Sequence, residues 1–599
     1  MKYQLIKPVN SDYSALQQVL TNRGININDI EHYINTTDDD ICSPLELGEQ
    51  NLKAAATALI QTIQNDWKAI VIIDSDCDGF TSSALLINYL YDLFPSWVEN
   101  KLTWFMHDGK QHGLSDFTQM WEDLALIIIP DAGSNDYVYH QDIAKEGVNI
   151  IILDHHEAPY ESEDAIVINN QLSDYPNKQL SGVGVTWQFC KYLDSLLNNN
   201  YADEYLDLVA LGNTADMMSL TSLETKHLIN KGFEPKNIHN PFIYNMWQKN
   251  QFKLGSHITS WGAAFYIAPF VNAMVRSGSQ EEKQLLFESM LKFKAFEMIP
   301  SNKRGHKLGE QEQRVEQAIR TCTNVKNRQT RAQDAGMEFL ENMIKDQNLL
   351  ENKVLLFLLN PGQIDRNIAG LIANKFMAKY QRPCCILTKV ETIVEESADD
   401  TDRFTPHVEI SYQGSARGCD KVGVTEFKDI CDETQVVMFT AGHQGAFGLG
   451  LKEEDIEIFL AKTNEILKDM SEEPLYYVDY IYKGDKVNPQ NILDIAQMDS
   501  YWGKDIDESL IAIEELKVTK DMVTLMSPDK TPTLKIVLPN KVSLIKFGSS
   551  QEEYEKFLSN GYITVNIVGK CNVNVWNGWT NAQIMIEDYE ITGQNKYFF

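Results

Sequence analysis

Residues 71–80, VIIDSDCDGF, set an apolar run against three aspartates, Asp74, Asp76 and Asp78, closed by Gly79. Along an extended segment side chains two apart project to the same side, so these carboxylates would repel one another at the end of a buried strand unless a cation lay between them. A loop followed by a helix N-cap is the plainer reading of the same stretch. Three further polar clusters follow apolar runs: LALIIIP ends at Asp131 within PDAGSND, VNIIIL ends at Asp154, His155 and His156, and YLDLVALGNTADMMSL leads to Asp216. Asp76, Asp78, Asp131, His155 and Asp216 then make an oxygen-rich donor set with one imidazole. That mixture suits two hard divalent ions, and the single nitrogen tilts the choice from magnesium, which would also serve, toward manganese.

Such residues can meet only if the elements that carry them end on one side. Apolar runs alternating with helical stretches predict a parallel α/β sheet, whose ligands bind outside the carboxyl ends of the strands. The strand-end clusters should therefore share one edge. After Gly79, TSSALLINYLYDLF reads as a helix capped by Thr81 or Ser82. Residues 1–68 read as mainly helical, and residues 305–350 as one long helix. From 353 the pattern is strand, helix, strand, with the acidic run 391–402 as a solvated loop. After 470 the chain turns β-rich.

With 599 residues the chain is too long for one core, and its 43% apolar content is that of an ordinary globular protein. MKYQLIKPVN lacks the apolar centre of a signal peptide and no apolar run is long enough to span a bilayer, so a cytoplasmic protein without membrane contact is expected. Nine cysteines without any CxxC argue against disulfides and thiolate zinc sites. A net charge of −32 excludes a protein that coats nucleic acid through its overall field, but not an enzyme with a local basic path. Residues 303–331 are the candidate path, with Lys303, Arg304, Lys307, Arg314, Arg320, Lys326, Arg328 and Arg331 set against Glu310, Glu312 and Glu316. A solvated helix face is the competing reading.

The segments DSDCDG (74–79), DAG (131–133), DHH (154–156) and DLVALGNTAD (207–216) resemble the four motifs of the DHH phosphoesterases, and within them the RecJ single-strand DNA exonucleases. SGVGVTW (181–187), IAPFVNAMVRSG (267–278) and KNRQTRAQDA (326–335) extend the likeness. The resemblance implies that Asp76, Asp78, Asp131, His155 and Asp216 are metal ligands, with Asp131 between two ions. It implies that His156 and Arg276 support the phosphate, that Asp74 stands one layer out from the metals, and that Asp154 orients a histidine. It places Arg328 and Arg331 in a nucleic-acid groove, and makes Lys110, in FMHDGKQHGLSDF, a strand contact. ISYQGSARG (410–418) and FTAGHQGAFGLGL (439–451) resemble the substrate-binding motifs of the DHH-associated domain, which implies that Ser415, Arg417, Gly442 and His443 bind an anion. Without the family, each of these two segments reads as a Gly-rich hairpin. NVNVWNGWTNAQIMIEDYEI resembles the RecJ OB-fold, where Trp576 and Trp579 would stack on bases, core packing being the competing reading. Phe270 stands where the family usually has a basic residue, Val275 where it has a glycine, and Phe447 where it has a small side chain.

The expected architecture is thus an α/β chain. A parallel-sheet DHH domain (1–304) is joined by a long helix (305–350) to a smaller α/β DHH-associated domain (351–469), followed by an OB-like domain (470–599). The resemblance implies two-metal 5′-to-3′ digestion of single-stranded DNA to 5′-mononucleotides, in repair or recombination. A phosphodiesterase for short oligonucleotides or cyclic dinucleotides is the rival within enzymes, and a noncatalytic DHH scaffold that binds a replication or repair partner is the rival outside them. Single-strand binding protein and helicase are the partner classes the resemblance suggests, and a monomer is expected over an oligomer.

Overall fold

The structure is a computed structural model that describes residues 1–109, 111–118, 123–398, 403–471, 473–528, 530–558, 561–576 and 579–596. The chain packs as two compact units. One holds Asn10–Asn327 with Asp494–Glu508, and the other holds Met1–Val9, Arg328–Leu493 and Ser509–Phe599. Among the described residues, no helix is long and apolar enough to cross a membrane.

In the first unit, five strands form a sheet: β1 (Lys68–Ile73), β2 (Leu102–Met106), β3 (Leu124–Pro130), β4 (Asn149–Asp154) and β5 (Ile166–Asn169), in the order β2-β1-β3-β4-β5. Every pairing is parallel. The central strands are near-continuous runs of β-branched residues because a parallel sheet is covered on both faces. Ile70, Ile72, Ile127, Ile129, Ile150 and Ile152 pack into one cluster on one of those faces. Parallel strands must end on the same edge, so Asp74, Asp131 and Asp154 lie there together.

Three helices close over that edge: α1 (Cys77–Leu93), α2 (Gly182–Leu197) and α3 (Leu206–Ala215), with α1 packed against both others. The cap of α1 differs from the expectation. Asp76 is the N-cap, its Oδ1 accepting from the Gly79 amide at 3.0 Å, while the Thr81 and Ser82 hydroxyls donate back to the Asp78 carbonyl at 3.0 and 2.6 Å. Asp76 and Asp78 are therefore brought together by a strand-to-helix turn and not by strand alternation, because the chain leaves extended conformation directly after β1.

The long helix α4 spans Arg314–Asp346, so it starts later than the sequence pattern suggests. Residues before it form an antiparallel pair, Met298–Pro300 with Gln311–Gln313, across a loop in which Gly305 and Gly309 take φ of 81° and 83°. Glu312 holds this corner. Its buried carboxylate accepts from Ser301 Oγ at 3.0 Å, Gln317 Nε2 at 2.9 Å and Arg320 Nη1 at 2.7 Å, with Lys303 Nζ at 3.1 Å.

In the second unit, β6 (Leu355–Leu359), α5 (Arg366–Tyr380), β7 (Cys384–Ala398), β8 (Arg403–Arg417), β9 (Val437–His443) and β10 (Ala446–Lys452) build a sheet ordered β9-β10-β8-β7-β6. The acidic run is not simply a loop. Glu391–Ala398 continues β7 and pairs residue for residue with β8, the β-branched Thr392, Ile393 and Val394 favouring the extended backbone. Residues 399–402 lie outside the described residues. A strand at Lys2–Leu5, where helix was expected, pairs with Leu475–Val478. A seven-stranded sheet runs from Tyr480–Lys483 through Leu510–Thr519, Gly561–Trp576, Trp579–Lys596, Ser543–Phe547 and Thr533–Val537 to Val523–Met526.

Arg320 above all, with the neighbouring donors, holds the Glu312 carboxyl below its ordinary value of 4.5. A depressed carboxyl stabilises above its unfolded value, and that contribution is lost as pH falls below it. Glu312→Gln should lower stability by about 1–3 kcal/mol at pH 7. In chemical denaturation, its deficit relative to wild type should shrink as the pH drops below 4.5.

Candidate metal centre

Asp131 follows β3 in the left-handed region, at φ 68°, with its amide donating to the Leu153 carbonyl of the neighbouring strand at 2.8 Å. A non-glycine residue held there costs free energy and persists only where the surroundings demand it. Gly182, the first residue of α2, explains the demand, since a Cβ there would lie 2.3 Å from Asp131 Oδ1. Gly212 does the same on α3, where a Cβ would meet Asp78 Oδ1 at 2.3 Å. The backbones of two helices are thus pressed onto two carboxylates.

The start of α2 also grips Asp78 directly. Asp78 Oδ2 accepts from the Gly182 amide at 2.7 Å, and Oδ1 accepts from the Val183 amide at 3.2 Å and Ser181 Oγ at 3.1 Å. Asn213 Oδ1 in turn accepts from the Ser181 amide at 3.1 Å, so α3 sets the start of α2. Ser181 and Asn213 fall within segments that the family resemblance covers, yet their task of orienting Asp78 is visible only in the fold.

Asp154 is fully buried at the end of β4 and takes four donors: the His155 and His156 amides at 2.7 and 3.1 Å, His156 Nδ1 at 2.8 Å, and the Ser134 amide at 3.0 Å. Burial alone would raise its pKa, but the His156 hydrogen bond and charge outweigh burial and hold it below the usual carboxylate range. Burial likewise opposes a charge on His156, and the Asp154 contact outweighs it, raising His156 to about 9. His155 goes the other way. Burial, then its charged neighbour His156, lowers it to about 4, so it is a neutral imidazole at pH 7.

Neutral His155 Nε2 stands 3.2 Å from Asp131 Oδ1 and 3.4 Å from Asp216 Oδ2. Asp131 Oδ1 is buried and has no hydrogen-bond partner among the described residues. Burial first, then the charges of Asp78, Asp76, Asp74 and Asp216, pushes Asp131 well above the carboxylate range. The same causes, burial and then Asp78 and Asp76, raise Asp216 to about 8, and burial raises Asp78 to about 6. Carboxylate oxygens and an imidazole nitrogen that converge in this way are the donor set of a cation site, where a bound cation would take the place of the protons that the raised carboxyls otherwise hold. Three overlapping groups have donor atoms within 4.8 Å of one another: Asp131, His155 and His156; Asp78, His155 and Asp216; and Asp74, Asp76 and Asp131.

The sequence compares with known proteins along its whole length. Residues 68–213 match the DHH family N-terminal domain, and residues 478–588 match the RecJ OB domain. The SPbeta prophage-derived YorK of Bacillus subtilis strain 168, provisionally named a single-strand DNA-specific exonuclease, is 32% identical over 604 residues, covering 100% of both chains. The chain belongs to the RecJ family of DHH proteins. The single-stranded-DNA-specific exonuclease RecJ of the same bacterium is 26% identical across 94% of this chain and 66% of its own. RecJ of Thermus thermophilus in complex with Mn2+ shares the fold, with a TM-score of 0.68 over 99% of this chain and 80% of that one at 17% identity. The complex of that protein with Mg2+ gives 0.63.

The remaining RecJ-type candidates separate by position. Arg276, mostly buried, lies near enough to Asp76 to feel its charge, although burial lowers its pKa. Ser415 and Arg417 share one face of β8, and a Cβ on Gly370 of α5 would lie 2.4 Å from Arg417 Nη2 and 3.3 Å from Ser415 Oγ. Arg417, Ala446 and His443 occupy one cross-strand row, and Ser415, Gly448 and Ala441 the next, so the residues between are small. Gly442 has φ 124°, a conformation that L side chains rarely adopt. The Gly-rich hairpin read without the family is also there, as β9 and β10.

Arg328 and Arg331 are exposed on α4, whereas Lys303 and Arg320 are engaged by Glu312, and Arg314 by Glu288 and Glu297. Trp579 is 76% exposed beside the tip of its hairpin, which removes the core reading for that residue. Lys110 and the side chain of Trp576 lie outside the described residues. Sequence reasoning passed over His112, whose Nδ1 meets Asp74 Oδ2 at 2.8 Å, although it lies within the quoted FMHDGKQHGLSDF. Its signal was a histidine in the loop directly after a strand of the sheet.

The raised carboxyls make a prediction with a definite sign. Folded pKa values above the ordinary 3.8 give stability that is fully present below 3.8 and is lost as pH rises through about 6 for Asp78 and about 8 for Asp216. The metal-free protein should therefore lose stability between these values, and Asp131→Asn, which removes one of the crowded charges, should unfold at a higher temperature than wild type in chelator. Mn2+ should raise the unfolding temperature of wild type and leave that of Asp131→Asn nearly unmoved.

Proposed function

We propose that this chain hydrolyses phosphodiester bonds of single-stranded DNA from the 5′ end, releasing 5′-mononucleotides, with two divalent cations held by Asp76, Asp78, Asp131, His155 and Asp216. The observation that carries the reading is the convergence of neutral His155 on Asp131 and Asp216, where the buried Asp131 Oδ1 has no hydrogen-bond partner among the described residues. Bound there, divalent cations would activate a water and offset the charge that develops on phosphorus, with Mn2+ favoured over Mg2+ by the imidazole.

The chain's own residues supply the rest. His156, charged and tethered through Nδ1 to Asp154, presents its other nitrogen from a half-exposed ring to a non-bridging oxygen. Arg276 supports the same phosphate. Asp74 stands behind these groups and orders the imidazole of His112. Ser415, Arg417, Gly442 and His443 form an anion subsite on the second unit, with small neighbours that let a phosphate approach the strand backbones. Arg328 and Arg331 offer further phosphate contacts, and the exposed Trp579 an aromatic face on which a base can stack. A role in DNA repair or recombination follows from the same reading.

The test is digestion of matched DNA and RNA strands labelled at either end, in Mn2+ and in chelator. Release of labelled mononucleotide first from 5′-labelled DNA, abolished by chelator and reduced at least about 10³-fold in Asp131→Ala, is the expected result. Undiminished cleavage by Asp131→Ala would refute the assigned centre. Faster turnover of a dinucleotide than of a long strand would shift the substrate class to short oligonucleotides.

A further inference from the structure

Two half-exposed histidines on the first unit are held in the same way. His156 donates through Nδ1 to buried Asp154 at 2.8 Å, and 51% of its side chain is exposed. His112 meets buried Asp74 through Nδ1, at 2.8 Å from Oδ2 and 3.0 Å from Oδ1, with 60% of its side chain exposed. In both rings the nitrogen nearer the backbone is spent on a buried carboxylate, and the open edge of the ring carries Nε2.

The loop that presents His112 is fixed on both sides. The His107 carbonyl accepts from Gln280 Nε2 at 3.0 Å and Lys283 Nζ at 3.2 Å, and His107 Nδ1 pairs with Asp116. Just past His112, the Leu114 amide donates to Asp136 Oδ2 at 2.7 Å, and Gly113, at φ 57°, has no room for a Cβ, which would lie 2.1 Å from that same oxygen. An exposed imidazole seldom receives so much support unless its position matters. His112 belongs to none of the described groups whose donors converge as a cation site does. It nevertheless adjoins the centre through Asp74, whose carboxylate has donor atoms within 4.8 Å of those of Asp76 and Asp131.

We infer that His112 is a second phosphate-binding imidazole of this centre, its Nε2 donating to a phosphodiester oxygen of the bound strand beside the one held by His156. The inference rests on the phosphodiesterase reading above and deepens it. It assigns the rim two imidazole donors on separate loops, one after β2 and one after β4. A pair of anchored imidazoles matches the backbone of a strand and is indifferent to the bases, so it suits binding without sequence preference.

Amide isosteres separate this role from a merely structural one. Asn places its NH2 near the position of Nδ1, where it can still hold Asp74, and Gln places its NH2 near that of Nε2, where it can reach a phosphate. His112→Ala and His112→Asn should weaken binding of a fluorescent single strand, and raise its KM, by about 10- to 100-fold, with Mn2+ affinity by calorimetry within about 2-fold of wild type. His112→Gln should recover most of that loss. The inference is overturned if His112→Asn binds the strand as wild type does, or if His112→Ala loses Mn2+ affinity, since either result leaves His112 only a prop for Asp74. Strand binding is read apart from cleavage. A wild-type chain that binds without cutting would therefore sink the nuclease reading and still decide this one, and a chain that binds no strand would sink both.

Discussion

Like charges pressed together without a partner govern this protein's first unit. Asp74, Asp76, Asp78, Asp131 and Asp216 crowd one rim of a parallel sheet, and burial raises the carboxyls of Asp131, Asp216, Asp78 and Asp74 above their ordinary range. The chain does answer some of this charge. The α2 amides face Asp78, the charged His156 faces Asp154, and His112 faces Asp74. What it leaves without a hydrogen-bond partner among the described residues is Asp131 Oδ1, where Asp131 meets neutral His155, and the backbone at Gly182 crowds that carboxylate. A fold that holds such a cluster in place is less stable without cations than with them.

Much of this was legible in the sequence because parallel sheets have a simple grammar. Three β-branched runs, each ending in Asp, foretold strands that deliver polar residues to a common edge, and the sheet has that order. The five expected donors are brought together, while the path that brings Asp76 and Asp78 was misread, since a capped turn and an alternating strand both put acids near one another. The acidic stretch after Glu391 was read as loop on charge alone, although its threonine, isoleucine and valine carried the strand signal. The late start of α4 was hidden for a related reason: Gln311–Gln313 has helical propensity, and the partners that hold Glu312 in another conformation, Ser301 and Asn302 among them, lie outside that segment.

Long-range partners account for the remaining surprises. Basic residues between 303 and 331 looked like one patch, but Lys303 and Arg320 pair with Glu312 and Arg314 with Glu288, while Arg304, Lys307, Arg328 and Arg331 are exposed. A count of charges along a sequence cannot separate those that bind the protein's own acids from those that face solvent. The excess of acid over base therefore need not repel a polyanion everywhere, because the field near a surface depends on where the exposed charges lie.

Part of the wall around Asp78 and Asp131 is main chain. At Gly182 and Gly212 the helix backbones come so close that a Cβ would lie 2.3 Å from a carboxylate oxygen. An ion entering such a cage finds its oxygens already oriented and spends little of its binding energy on ordering them. Any side chain at either glycine would drive a carbon into a carboxylate, so the cage depends on two positions that have no side chain to lose.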